Sequence, residues 1–259
     1  TVSLERISAG VPKIDAMLGG AGYYRGASVL VSGTAGSGKS SIAAQFAAAA
    51  CARGEHCLYF AFEESRDQVV RNMRSIGVDL EPFLRDGTLV FHAARPSVYG
   101  LEGHLAVMHR LVRQTAPRVV VVDPVSTFLS VSAAVDVRAL LVRLLDFLKG
   151  LQITGLFTSL SSAAGGLEQT DVAVSSLIDT WLLLRDFESG GERNRSLSIL
   201  KSRGMAHSNQ VHEFRLTSDG IELLEIAAGG NGVLMGSQRE ESRSDLARNR
   251  EGDAAVGEP

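Results

Sequence analysis

A chain of 259 residues, 45% of them hydrophobic, can bury one large α/β core with extensions. Its 26 basic and 29 acidic residues leave a net charge of −3, a mild acidic balance without the footprint of duplex nucleic-acid binding. No run approaches the roughly 18 apolar residues of a membrane span and no secretory signal opens the chain, so a cytoplasmic protein is expected, with Cys51 and Cys57 as buried or idle thiols. Hydrophobic periodicity then predicts strand 27–31, helix 38–53, strand 57–62, helix 65–76, strand 88–92, helix 101–115, strand 118–122, helix 135–149 and strand 153–159. Strands alternating with helices in this way make a parallel sheet. Val119-Val120-Val121-Val122 has no polar alternation, as in a strand covered on both faces. From Asp179 the pattern changes to a hairpin, Trp181–Leu184 and Ser196–Leu200, followed by short strands at 211–216 and 221–226. An antiparallel extension on one sheet edge is expected, with 236–259 as a flexible, mixed-charge tail.

Gly33-Thr34-Ala35-Gly36-Ser37-Gly38-Lys39-Ser40 fits the phosphate-loop pattern G-x-x-x-x-G-K-[ST], between an apolar strand and an alanine-rich helix that begins Ser41-Ile42. Glycines let the backbone wrap a phosphate chain, amide N–H groups and the helix dipole face the anion, Lys39 brings a point charge, and Ser40 can ligate Mg²⁺. Nucleoside triphosphate binding is the expectation. In open parallel sheets ligands sit beyond the carboxyl ends of strands, where two further acidic positions fall. Asp123 follows the valine strand as a Walker B acid would, placed to hold Mg²⁺, directly or through water, opposite Ser40. Glu63 and Glu64 follow the strand Leu58–Phe62, where a carboxylate could polarise an attacking water or hydroxyl. Acids also favour a helix N-terminus, and Ser65-Arg66-Asp67 opens one, so this pair has a plain structural explanation as well.

Phosphoryl transfer calls for positive charge beyond that of the phosphate loop, and such cations often come from a neighbouring subunit. In the hairpin, Arg195 begins a strand whose alternation carries Lys201 and Arg203 toward Gly204, with His207 in the next turn. Taken alone, these charges fit a solvated surface better than a site. Two other readings use the same phosphate loop: a RecA-like motor driven by nucleic acid, and a non-catalytic nucleotide-gated scaffold. The first needs a basic or aromatic central loop, and 160–170 has no Lys or Arg. The second sits poorly with Lys39, Glu63 and Asp123 all being present.

Four separated motifs, Gly33–Ser40, Phe60-Ala61-Phe62-Glu63-Glu64-Ser65-Arg66, Ile153-Thr154-Gly155-Leu156-Phe157-Thr158 and Lys201-Ser202-Arg203-Gly204, together resemble the KaiC family of circadian-clock ATPases and autokinases, which have a RecA-like fold. The opening segment Glu5–Asp15 fits as well, and the likeness runs from about residue 4 to about residue 226. It is closer to the second, kinase domain of that family than to the first. The resemblance implies a RecA-like P-loop core over 1–226, a C-terminal loop and tail over 227–259, and ATP with Mg²⁺ as cofactors. It implies Glu63 as general base assisted by Glu64, Thr34 through Ser41 and Asp123 at the nucleotide, and Ser40, Glu63 and Asp123 toward the metal. Arg195, Lys201, Ser202, Arg203, Gly204 and His207 would reach the nucleotide of the adjacent subunit in a homohexamer. Ser175 and Ser176, with Thr170 nearby, align with the autophosphorylated hydroxyls, and autophosphatase activity comes with them. A KaiB-like partner, a KaiA-like activator acting on the segment after Gly232 and an output histidine kinase are implied partners. Ile76 stands where a tryptophan flanks the adenine, a loss of roughly 1 kcal/mol of stacking. A single phosphate loop, where the family carries two, and a start at Thr1 imply a piece of a longer two-domain protein.

Overall fold

The computed structural model describes residues 3–161, 176–189, 192–229 and 232–234. A short ribbon of β1 (Arg6–Ile7) and β2 (Tyr23–Tyr24) flanks α1 (Pro12–Met17), and then β3 (Ser28–Gly33), α2 (Lys39–Ala52), β4 (Cys57–Ala61), α3 (Arg66–Arg74) and α4 (Glu81–Arg85) follow. Next come β5 (Leu89–Ala93), α5 (Leu101–Thr115), β6 (Val119–Asp123), α6 (Ala134–Gly150) and β7 (Thr154–Leu160). The last elements are β8 (Thr180–Ser189), β9 (Glu192–Ser202), β10 (His212–Thr217), β11 (Gly220–Glu225), β12 (Ala227–Gly229) and β13 (Gly232–Leu234).

One nine-stranded sheet has the order β11-β10-β9-β8-β3-β7-β6-β4-β5. From β8 to β5 every neighbour is parallel, while β9, β10 and β11 continue antiparallel. This is the expected α/β core with an antiparallel edge extension. One assignment changes. The first strand of the hairpin, Trp181–Leu184, is expected in the antiparallel extension, but β8 lies parallel to β3, with Leu30 opposite Trp181 and Ser32 opposite Leu183, and the antiparallel part begins with β9. Turn chemistry reports which strand follows a hairpin and says nothing about the strand on the other side.

Strand alternation divides the core between the two faces. Val29, Val31, Tyr59, Val119 and Val121 pack with α1, α2 and α3, and Leu30, Leu58, Phe60, Val120 and Val122 pack with α5 and α6. The valines of β6 are wholly buried on both sides, as their unbroken apolar run implies. Helix α3 starts with a capping box: Ser65 Oγ accepts from the Gln68 amide, and the Gln68 side chain accepts from the Ser65 amide. Cys51 and Cys57 are buried free thiols. The segment after residue 226 starts as a small antiparallel pair, β12 with β13. The expected tail at 236–259 lies outside the described residues. Among the described residues, no helix is long and apolar enough to cross a membrane.

Candidate active site

The carboxyl ends of β3, β4 and β6 converge on one cavity of about 340 Å³. Ala35, Gly36, Gly38, Lys39, Ser40 and Ser41 line it from the phosphate loop, Glu63, Glu64 and Asp123 from the neighbouring strand ends, and Met73, Leu160 and Leu216 along its apolar part. Register explains the convergence. Ala61 pairs with Asp123, and the Phe62 amide donates to the Asp123 carbonyl at 2.9 Å, so Glu63 emerges beside the buried aspartate.

The loop itself is shaped for an anion. Gly38 precedes α2 at φ +102° and no side chain caps the helix, so the first amides of α2 face the cavity without intrahelical acceptors. A Cβ on Gly38 would stand 2.6 Å from the Phe214 ring, and one on Gly33 would stand 2.6 Å from Ser37 Oγ, whereas Gly36 faces open space. Lys39 is buried, with Nζ donating to the Gly33 and Thr34 carbonyls at 2.9 and 2.7 Å. Ser37 is buried, Thr34 and Ser40 are half-buried, and Ala35 is exposed.

Asp123 is held by two hydroxyls. Tyr59 Oη donates to its Oδ2 at 2.6 Å and Thr158 Oγ1 donates to its Oδ1. Burial, then the neighbouring Asp123 and Glu64 charges, push the Glu63 carboxyl above the ordinary glutamate range, against the pull of Lys39 and Arg95. Glu64 accepts from Asn72 Nδ2 at 3.0 Å. Arg95 shares a smaller pocket of about 170 Å³ with Glu63, Glu64, Ser65 and Gln68.

Ile76 does not line the phosphate-loop cavity; it is half-buried against the core on the α2 face, and Met73 and Leu216 supply the apolar wall.

The group expected to serve an adjacent subunit is split in two. Arg195 Nε stands 4.0 Å from Asp186 Oδ1, and Asp186 Oδ2 accepts from Thr34 Oγ1, so Arg195 belongs to the phosphate-loop end of the sheet. Lys201, Ser202 and Arg203 lie at the other end, where Thr180 pairs with Ser202 and the Arg203 amide donates to the Asp179 carbonyl at 2.8 Å. Six to eight strand residues at about 3.3 Å each put roughly 20–26 Å between the two sets. The sequence alternation that aligned them is also interrupted: Leu182 pairs with Ile199 and Trp181 with Lys201, so Leu200 is an inserted residue in a bulge. Gly204 accepts from Tyr24 Oη at 3.4 Å, and His207 Nδ1 lies 3.2 Å from the Ser208 carbonyl.

Ser176 is exposed, and its carbonyl accepts from Arg203 Nη2 at 2.7 Å, at the end of the sheet remote from this chain's own phosphate loop. Ser175 and Thr170 lie outside the described residues. Sequence reasoning missed Tyr59, Thr158 and Asp186. The available signal for the first two was a hydroxyl on a buried strand that ends at the ligand edge of the sheet, Tyr59 within Cys57–Ala61 and Thr158 within Thr154–Leu160; for Asp186, 152 residues from Thr34, there was none.

A family model described as "ATPase: KaiC" matches residues 7–228. The circadian clock protein KaiC2 of Synechocystis sp. (strain ATCC 27184 / PCC 6803 / Kazusa) is 52% identical over 241 residues, which cover 92% of this chain and 42% of the relative. KaiC3 of the same organism is 35% identical over 244 residues, covering 94% and 48%. The circadian clock oscillator protein KaiC of Parathermosynechococcus lividus is 33% identical over 233 residues, covering 90% and 43%. The chain thus spans less than half the length of these curated relatives. With a phosphate loop, a strand-end aspartate and a glutamate pair around one cavity on a mostly parallel sheet, and with this match over nearly its whole length, the chain belongs to the KaiC ATPase family.

Proposed function

We propose that the chain hydrolyses ATP and also passes the terminal phosphoryl group to serine hydroxyls of a neighbouring copy, within a hexameric ring of the KaiC kind. The observation that carries the reading is the single cavity shared by Lys39, Ser40, Glu63, Glu64 and Asp123. In the proposed step Glu63 takes the proton of an attacking water or serine hydroxyl, the freed oxygen bonds to the γ-phosphorus, and the bond to the bridging oxygen breaks to release ADP. The raised affinity of Glu63 for a proton supports its role as the base.

Mg²⁺ fits the donor set. The cavity offers the Ser40 hydroxyl and the Asp123 and Glu63 carboxylates, all hard oxygens. Among the described residues no group of three or more His, Cys, Asp or Glu forms a metal cage, which suits an ion that takes only one or two protein ligands beside phosphates and water. When bound, it would neutralise the phosphate charge; Asp123, with both oxygens already accepting hydrogen bonds, is suited to contact through water.

The positions of Ser176, Lys201 and Arg203, far from their own phosphate loop, support transfer between copies over transfer within one. The names of the relatives, all circadian clock proteins, extend the reading to a timing or signalling ring with a KaiB-like partner, a KaiA-like activator or an output histidine kinase. Ser175 and Ser176 are the proposed acceptors, with Thr170 as a third hydroxyl. Incubation with γ-labelled ATP and Mg²⁺, followed by phosphopeptide mapping and measurement of mass in solution, tests it. Label should enter wild type in an ATP-dependent oligomer, be lost in Glu63→Gln with ATP binding retained, and fall sharply in a Ser175→Ala/Ser176→Ala variant. Undiminished label in that double variant, or a mass of one chain under labelling conditions, would refute the reading.

A further inference from the structure

Thr34 occupies one of the variable positions of the phosphate loop, yet it is held from two sides. Its hydroxyl donates to Asp186 Oδ2 on β8, and its carbonyl receives Lys39 Nζ at 2.7 Å. Asp186 is itself mostly buried, with its side chain 13% exposed. Arg193 Nη2 on β9 reaches the same Oδ2 at 3.0 Å, and Arg195 Nε stands 4.0 Å from Oδ1. A carboxylate against a loop that cradles a triphosphate would repel it unless its charge is offset nearby. The antiparallel register provides the offset, because Asp186 pairs with Arg195 and Glu188 with Arg193, which brings both arginines to the phosphate-loop end of the hairpin.

We propose that Asp186 is a positioning residue for the phosphate loop: it anchors Thr34, and through the Thr34 carbonyl the position from which Lys39 works, while Arg193 offsets its charge so that the triphosphate is admitted. Burial opposes ionisation of Asp186, but the hydrogen bonds from Thr34 and Arg193 outweigh it, so the carboxylate stays charged. Anchoring and charge offset are separable. Loss of the anchor loosens the loop; loss of Arg193 leaves the loop in place with an uncompensated negative charge beside it.

The inference rests on the cavity being an ATP site, and the test separates the two. ATP affinity with Mg²⁺ is measured by calorimetry at low and high salt for wild type, Asp186→Ala, Asp186→Asn, Thr34→Val and Arg193→Met. Asp186→Ala and Thr34→Val should each weaken binding about tenfold, the equivalent of one charge-assisted hydrogen bond, and their combination should cost no more than either alone. Asp186→Asn, whose amide oxygen still accepts from Thr34, should stay within about threefold of wild type and keeps the test open if the alanine variant misfolds. Arg193→Met should weaken binding at low salt, recover at high salt, and have no effect in the Asp186→Asn background. Wild-type affinity in Asp186→Ala, additive losses with Thr34→Val, or an Arg193→Met loss that persists both in high salt and in the Asp186→Asn background would overturn the proposal. A wild-type protein that does not bind ATP would overturn the cavity assignment itself.

Discussion

Replacing Tyr59 by Phe removes one oxygen from the middle of the sheet and leaves the ring in place, stacked on Phe91 at 4.5 Å between centroids and 15° between planes. The lost hydroxyl is the donor to Asp123 Oδ2, at 2.6 Å, in a pair where Tyr59 is fully buried and Asp123 is 7% exposed. Water has little access to replace it, and Thr158 already serves the other carboxylate oxygen. A hydrogen bond to a buried charge is worth about 1.5–3 kcal/mol, so Tyr59→Phe should cost roughly 2 kcal/mol. At about 2–4 °C per kcal/mol for a domain of this size, Tm should fall by about 4–8 °C. Urea unfolding and calorimetry at fixed protein and nucleotide concentration measure it, since ligand and assembly both raise apparent stability. The double-mutant cycle is the sharper check: Asp123→Asn leaves one neutral oxygen and one NH₂ group to face the two hydroxyls, and the Tyr59→Phe cost should shrink to about 1 kcal/mol. A loss below about 0.5 kcal/mol, or the same loss in both backgrounds, would refute the claim that the Tyr59 hydroxyl holds Asp123 in place.

Two further outcomes follow from the geometry. Gly38→Ala places a Cβ at 2.6 Å from the Phe214 ring on a residue at φ +102°, so it should destabilise by more than about 2 kcal/mol in urea, and adding Phe214→Leu should recover only the steric part. Equal stability of Gly38→Ala and wild type would contradict it. Arg25 is buried between Glu5 and Glu55, at 2.7 Å from Glu5 Oε1. Burial opposes ionisation of Glu55, but Arg25 and Arg53 outweigh it and hold its carboxyl below the ordinary value of 4.5. A depressed carboxylate stabilises the fold above its unfolded pKa and loses that contribution as pH falls through the folded value. The stability gap between wild type and Arg25→Met should therefore be constant near neutrality and close progressively below about pH 4.5; a gap that widens on acidification would show the sign to be wrong.

Much of this molecule is written in short stretches of chain. Val119–Val122 declares a strand buried on both faces, Gly33–Ser40 declares an anion-binding turn, and Ser65-Arg66-Asp67 declares a helix start, because each depends on residues only a few positions apart. Asp123 and Glu63 were legible for the same reason, each being a carboxylate just past an apolar strand. What local pattern could not carry was everything set by pairing across the sheet. Turn chemistry does not reveal that β8 lies beside β3, and alternation gives no warning of the bulge at Leu200 that puts Lys201 and Arg203 out of step with the face Arg195 shares. The hydroxyls that hold Asp123 come from Tyr59 and Thr158, and the anchor of Thr34 comes from Asp186, at separations of 64, 35 and 152 residues. Hydrogen-bond partners so far apart are chosen by strand order and register, which arise only when the whole sheet assembles around its two cores.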